Sequence, residues 1–218
     1  MSYLEPSSER VFDLIQRYPD LTPHVGEITA AFEMLKKTFE TGGKLLVCGN
    51  GGSAADSEHI VGELMKGFRL RRPVSAIDRE RLRAANSEQA DYLAEHLQGA
   101  LPAVALVGHS ALCTALINDV AADMVFAQQV YGLGRPGDVL LGISTSGQAS
   151  NVLNAIRVAR AFGLHTLGLT GPEGGMLRDL CEITICVPGA DTAQIQERHL
   201  PVYHTLCSML EEIFFRPT

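Results

Sequence analysis

Apolar positions along the chain fall into two regimes. Up to residue 43 they recur at helical spacing. Residues 8–17 place Val11, Phe12, Leu14 and Ile15 on a helical period, and residues 22–41 do the same with Val25, Ile28, Ala31, Phe32, Leu35 and Phe39 before Gly42-Gly43 stop the run. Two leading helices with no strand between them are predicted. They serve either as an oligomer contact or as a cover for their own domain. From Lys44 the pattern changes to short apolar runs at Leu45–Cys48, Ala103–Val107, Val139–Ile143, Thr166–Leu169 and Ile183–Val187, separated by amphipathic, helix-length stretches. Strands buried on both faces and alternating with helices specify an α/β fold, a parallel sheet covered on two sides. Ligands of such sheets bind outside the carboxyl ends of the strands, so the residues following each strand carry the most information.

Residues 69–100 break that rhythm. They run from Arg69, Arg71 and Arg72 through Pro73 into a charged segment rich in Arg, Glu and Ala. The segment reads as an exposed helical excursion before the second strand, with the basic cluster as a solvated face or, alternatively, a contact for phosphate or a partner. The expected organisation is one domain over residues 1–218, with N-terminal helices in 1–43 and a helical insertion at 69–100.

Composition narrows the function classes. Hydrophobic residues are 46% of the 218-residue chain and charged residues 20%, which excludes a disordered or collagen-like protein. Lys plus Arg total 18 against 25 for Asp plus Glu, a formal charge of −7, and Trp is absent. No nucleic-acid partner is expected from such an acidic chain. No apolar run is long enough to span a bilayer, and the segment behind Met1, with Glu5, Glu9 and Arg10, lacks an apolar signal core, so no membrane partner is expected. The five cysteines, Cys48, Cys113, Cys181, Cys186 and Cys207, show no metal-knuckle or redox spacing and sit mostly among aliphatic residues. They read as small buried hydrophobes of a cytoplasmic protein.

Two turns carry candidate chemistry. After the first strand comes Gly49-Asn50-Gly51-Gly52-Ser53 and then a helix; after the third comes Ser144-Thr145-Ser146-Gly147, again before a helix. Glycines let backbone N–H groups approach a ligand, hydroxyls add donors, and a helix start favours an anion. Neither turn is a P-loop or a GxGxxG fingerprint. Both suit a phosphate monoester, with helix caps as the plain alternative. The helix after the first turn places His59 and Glu63 on one face. Near the C-terminus stand Gln196, Glu197, His199 and His204, with Pro201 between them to kink a helix or mark its first turn. A His and a carboxylate on one helix, meeting a His and an amide on another, could hold a metal through nitrogen and oxygen; a surface His/Glu pair is the alternative.

On these residues the chain resembles the sugar isomerase (SIS) domain family and, within it, the bacterial enzymes that isomerise heptose phosphates. The resemblance covers about residues 22–215 apart from the excursion, through GNGGSAADSEHIVGEL at 49–64, LINDVAADMVFAQQVYGLGRPGDVLLGISTSG at 116–147, GLTGPEGG at 168–175 and DTAQIQERHLPVYH at 191–204. It implies a flavodoxin-like five-stranded parallel sheet with helices on both faces. It also implies a homotetramer with sites between subunits. The implied substrate is a phosphorylated sugar, sedoheptulose 7-phosphate, converted through an enediol to D-glycero-D-manno-heptose 7-phosphate. Its phosphate would meet Ser53, Ser144, Thr145 and Ser146, with Asn50, Gly51, Gly52 and Gln196 also binding the substrate and Asp119 near the sugar. Glu63 would be the base and His204 the acid, and one zinc per subunit would be held by His59, Glu63, Gln196 and His204. The chain departs from the family pattern in three places: Ala149 replaces a usual Ser, Lys66-Gly67-Phe68 replaces a stretch with a Gly-Arg pair, and residues 69–100 are longer than usual. Other members of the family are non-catalytic phosphosugar sensors or DnaA-binding regulators, and a purely structural metal is a third expectation.

Overall fold

The computed structural model describes residues 6–85 and 88–216; residues 1–5, 86–87 and 217–218, Met1 and Glu5 among them, lie outside it. The apolar runs form β1 (Leu45–Gly49), β2 (Ala103–Ala105), β3 (Val139–Ser144), β4 (His165–Thr170) and β5 (Ile183–Cys186). All pair in parallel, in the order β2-β1-β3-β4-β5. Every residue of β1 and of β3 is buried, as a central strand covered on both faces requires.

Alternate residues along these strands feed two cores. Leu45, Val47, Leu141 and Ile143 join one face, with Ile28, Phe32 and Leu35 of helix α2 (Val25–Glu40), Ile60 and Leu64 of α3 (Gly52–Met65), and Val202, Tyr203 and Leu206 of the C-terminal helix. Leu46, Cys48 and Leu140 join the other face, with residues of α6 (Ser110–Asp119), α7 (Val125–Leu133), α8 (Ser150–Ala161) and α9 (Gly175–Leu180). This is the flavodoxin-like sheet the resemblance implied. The leading helix α1 (Pro6–Arg17) lies along the C-terminal helix of its own domain, where the Arg10 Nε donates to Glu212 at 2.7 Å.

The C-terminal helix α10 (Thr192–Phe215) is one continuous element. Asp191 caps its start by accepting the Gln194 N–H at 2.9 Å. Pro201 lies inside it and is buried, so it does not mark a first turn. The helix tolerates it because much of the segment from Ile195 to Glu211 packs against the core.

The excursion consists of α4 (Ala76–Ala85), which buries no side chain, and α5 (Ala90–His96), which buries Ala90 and Ala94. Its two ends meet at a narrow neck, where Pro73 bridges Gln98 and the Gly99 N–H reaches the Arg72 carbonyl at 2.7 Å. One part of the predicted solvated basic face is corrected here. The Arg72 side chain is fully buried and paired with Glu211 at 2.8 Å, because α10 covers the loop before the excursion.

Candidate active site

The Gly/Ser turns leave β1 and β3, which are separated in the chain but neighbours in the sheet, with Gly49 in register with Ile143. From β1 the sheet extends one way to β2 and the other way to β3, so a crevice opens between these two strands at their carboxyl ends. Helices α3 and α8 both begin there and direct their positive ends toward it. Asn50 and Asn151 exchange two amide hydrogen bonds of 2.9 Å across the start of the crevice. Gly51, at φ +56°, turns the chain into α3, and Ser53 is buried in that helix's first turn. Ser144 ends β3 and is buried; Ser146 is exposed and accepts the Gln148 N–H at 3.2 Å. Among the described residues no side chain bonds the hydroxyls of Ser53, Ser144 or Thr145, which leaves them available to a ligand.

The second turn is held from below by the loop after β4. The Thr145 carbonyl accepts the Gly171 N–H at 3.0 Å, and the Gly147 carbonyl accepts the Leu177 N–H at 3.1 Å. Gly147 has φ +64°, and a Cβ there would lie 2.0 Å from the Gly174 carbonyl oxygen. Only glycine fits this approach.

Beside the crevice, α3 and α10 run in the same direction and form a polar seam. Gln196 lies against Gly52, Tyr203 and His204 meet His59, and Glu211 reaches the residues just past α3. Spacings of three and four place Asp56, His59 and Glu63 on one face of α3. The Tyr203 hydroxyl donates to Asp56 Oδ1 at 3.1 Å and lies 3.1 Å from His59 Nδ1. His59 Nε2 stands 3.2 Å from Glu63 Oε1 and 3.3 Å from His204 Nε2. Phe68 closes the other side of His204, with ring centroids 5.2 Å apart.

Burial, together with the Asp56 carboxylate, raises the pKa of Tyr203, so its proton stays on the phenol and points at Asp56. The His59 Nδ1–H then donates to Tyr203, and His59 Nε2 faces Glu63 Oε1, a spacing that suits a proton or a cation between the two atoms. Burial, then the neighbouring His59, lowers the pKa of His204, with Glu63 opposing. His204 is therefore a neutral imidazole with one donor and one acceptor. Burial raises the pKa of Asp56, and the Tyr203 hydrogen bond partly offsets it. Glu63 Oε2 is buried without a hydrogen-bond partner, its nearest cation being Lys66 Nζ at 3.6 Å.

Among the described residues no group of three His, Cys, Asp or Glu side chains is set out as a metal cage. The pairwise spacings through His59 nevertheless match the roughly 3.3 Å separating donors that lie about 2.0–2.1 Å from one tetrahedral zinc ion. With the orphaned Glu63 oxygen, the chemistry of this donor set fits zinc. Gln196 is not gathered with it, since its amide lies at Gly52, about two turns ahead of His59 on α3. Asp119 stands apart as well, exposed at the end of α6 and accepting the Asn118 amide at 2.7 Å.

Sequence reasoning missed the Asp56–Tyr203 pair, although Asp56 precedes His59 by three residues on the same helical face. It also missed the support beneath Glu63. Arg72 donates to the Glu63 carbonyl at 2.9 Å, the Leu64 carbonyl at 2.8 Å and Glu211, while Glu211 accepts the N–H groups of Phe68 and Arg69 at 2.8 Å each. No local signal joins residues so far apart in the chain.

A parallel sheet with hydroxyl-bearing turns at its switch point and an ionisable seam beside them defines a phosphosugar-handling α/β domain, and residues 21–94 and 89–171 match the family model described as SIS domain. Within that class, phosphoheptose isomerases are among the similar proteins. A phosphoheptose isomerase of Roseiflexus sp. is 43% identical over 86% of this chain and 82% of its own, and one of Pelobacter propionicus is 39% identical over 96% and 94%. The structure of a phosphoheptose isomerase from Francisella tularensis superposes with a TM-score of 0.74 at 30% identity, covering 97% of this chain and 100% of that one. The chain belongs to the phosphoheptose isomerases of the SIS domain family.

Proposed function

We infer that the protein is an aldose–ketose isomerase interconverting sedoheptulose 7-phosphate and D-glycero-D-manno-heptose 7-phosphate. Beyond the kinship, the observation that carries this reading is the meeting of Glu63 and His204 through His59, beside two turns with unpartnered hydroxyls. The hydroxyls of Ser53, Ser144, Thr145 and Ser146, with the backbone N–H groups of Gly51 and Gly52 at the start of α3, would bind the phosphate without a fixed cation, aided by the helix dipoles.

Isomerisation moves a proton between C1 and C2 and redistributes protons between the two oxygens. Glu63, 12% exposed and with one unpartnered oxygen, would remove the carbon proton and return it to the neighbouring carbon. Neutral His204 would donate to one sugar oxygen and accept from the other. Asp56 and Tyr203 fix the orientation of His59, and Phe68 packs against one side of His204. We propose zinc, one ion per subunit, as resident metal held by His59, Glu63 and His204, with Gln196 moving in as a further ligand; it would supply Lewis-acid polarisation of the sugar oxygens. We further propose cytoplasmic residence, supported by five unpaired cysteines, and a homotetramer in which the exposed Asp119 completes a neighbouring copy's site.

The test is to follow the aldose product by NMR after incubation with sedoheptulose 7-phosphate and zinc. Glu63→Gln and His204→Ala should each lower kcat by about 10²–10⁴-fold. Undiminished turnover in either variant would refute the assigned role. Binding without turnover in the unmodified protein would favour a non-catalytic phosphosugar-binding or DnaA-binding regulator.

A further inference from the structure

The excursion does more than lengthen the chain. Between the loop Gly67–Pro73 and the helices α4 and α5 lies an open cleft of about 1060 Å³, lined by Arg69, Arg71, Arg72 and Arg79 together with Glu95, His96 and Gln98. That volume reaches the upper end of the roughly 300–1,000 Å³ typical of small-molecule sites. The arginines nearby divide into two groups. Arg72, Arg81 and Arg83 are paired with Glu211, Asp78 and Asp91. Arg69, Arg71 and Arg79 line the cleft and, among the described residues, form no ion pair. Glu95 is the one acidic residue of the lining and pairs with none of them.

We propose that this cleft is a second ligand site, built by the excursion for a small molecule bearing paired phosphates, of nucleoside diphosphate type. Guanidinium groups match phosphate oxygens in geometry as well as in charge. Arg71 comes from the loop and Arg79 from α4, so two separate elements bring unpaired guanidinium groups to one cleft, as a ligand with paired phosphates requires. His96, from α5, also lines the cleft and is stacked on Tyr92 with centroids 4.1 Å apart, an aromatic pair beside the arginines against which a base would pack. The neck keeps the walls in place: the Gly67 N–H donates to Gln98 Oε1 at 2.7 Å, and Glu211 holds the loop from beneath. This site is separate from the isomerase site, although both share the Phe68–Arg69 loop.

The test is calorimetric titration of the full-length protein with ADP, pyrophosphate and adenosine, independent of any turnover. ADP should bind one per chain, pyrophosphate should displace it, and adenosine alone should bind at least 10-fold more weakly. Arg71→Gln combined with Arg79→Gln should weaken ADP binding at least about 10-fold, as loss of charge-assisted bonds to phosphate predicts, while basal isomerisation is unchanged. Glu95→Gln should tighten it. Absence of ADP binding at millimolar concentration would overturn the proposal. So would binding that survives the double substitution or is displaced by sedoheptulose 7-phosphate, which would place ADP in the isomerase site.

Discussion

Arg72 and Arg83 lie on the same stretch of chain and both pair with a carboxylate. In the seam, Arg72 meets Glu211 at 2.8 Å with both side chains fully buried; on the excursion, Arg83 meets Asp91 at 3.0 Å with 60% and 76% of the side chains exposed. The distances barely differ, but the consequences do. In the seam each charge has lost its water and must be satisfied by protein. Arg72 does so with Glu211, two carbonyls and the Phe215 ring, 4.5 Å from its centroid. Glu211 does so with two N–H groups and the guanidinium. Burial alone would raise the pKa of Glu211, but these donors outweigh it and hold the carboxyl below its ordinary range. On the excursion, water does the same work and the pair is dispensable. The seam therefore fixes Glu63 and Phe68, whereas the Arg83–Asp91 pair fixes nothing that water would not.

The strongest way to break this comparison is to remove one partner of each pair. Glu211→Ala should cost about 3–5 kcal/mol of unfolding free energy in urea, because it strands a buried guanidinium. Arg83→Ala should change it by less than about 1 kcal/mol. Equal losses would mean that burial does not separate the two pairs.

A second effect of burial is readable in pH. His199, wholly buried on α10 with neither ring nitrogen hydrogen-bonded, has its pKa lowered to about 4 by burial. The unfolded chain takes up its proton near pH 6.5 while the folded chain resists, so stability is intact above about pH 6.5 and declines as pH falls toward about 4. The loss should total on the order of 3 kcal/mol. His199→Phe should flatten this part of the stability–pH profile. An unchanged slope would assign the acid sensitivity to other groups.

The smallest effect is expected from removing the excursion altogether. Because Pro73 bridges Gln98, residues 74–97 can be replaced by an Asn-Gly turn. Unfolding free energy should then change by no more than about 1 kcal/mol, since α4 buries no side chain and α5 buries only two alanines. A large loss would show that the excursion supports the core.

Much of the site was legible because its parts are local. The strand-to-helix turns are spelled by Gly, Ser and Thr at the ends of apolar runs, and His59 and Glu63 share a helical face by their spacing alone. Asp56 was legible by the same rule. Arg72 was not, because nothing near it distinguishes it from Arg69 and Arg71. Its burial depends on Glu211 of α10, which approaches only after the sheet has formed.

The sequence by itself determined the alternation of strands and helices and the two hydroxyl-bearing turns, since each rests on contacts between residues a few positions apart; the class of protein followed from the resemblance of its motifs to a family. Only the tertiary structure decided that β1 lies beside β3, that α10 runs along α3 to bring His204 to His59, and that one arginine of three is withdrawn from water. Those outcomes depend on which apolar faces share a core, a choice made by packing across the whole chain.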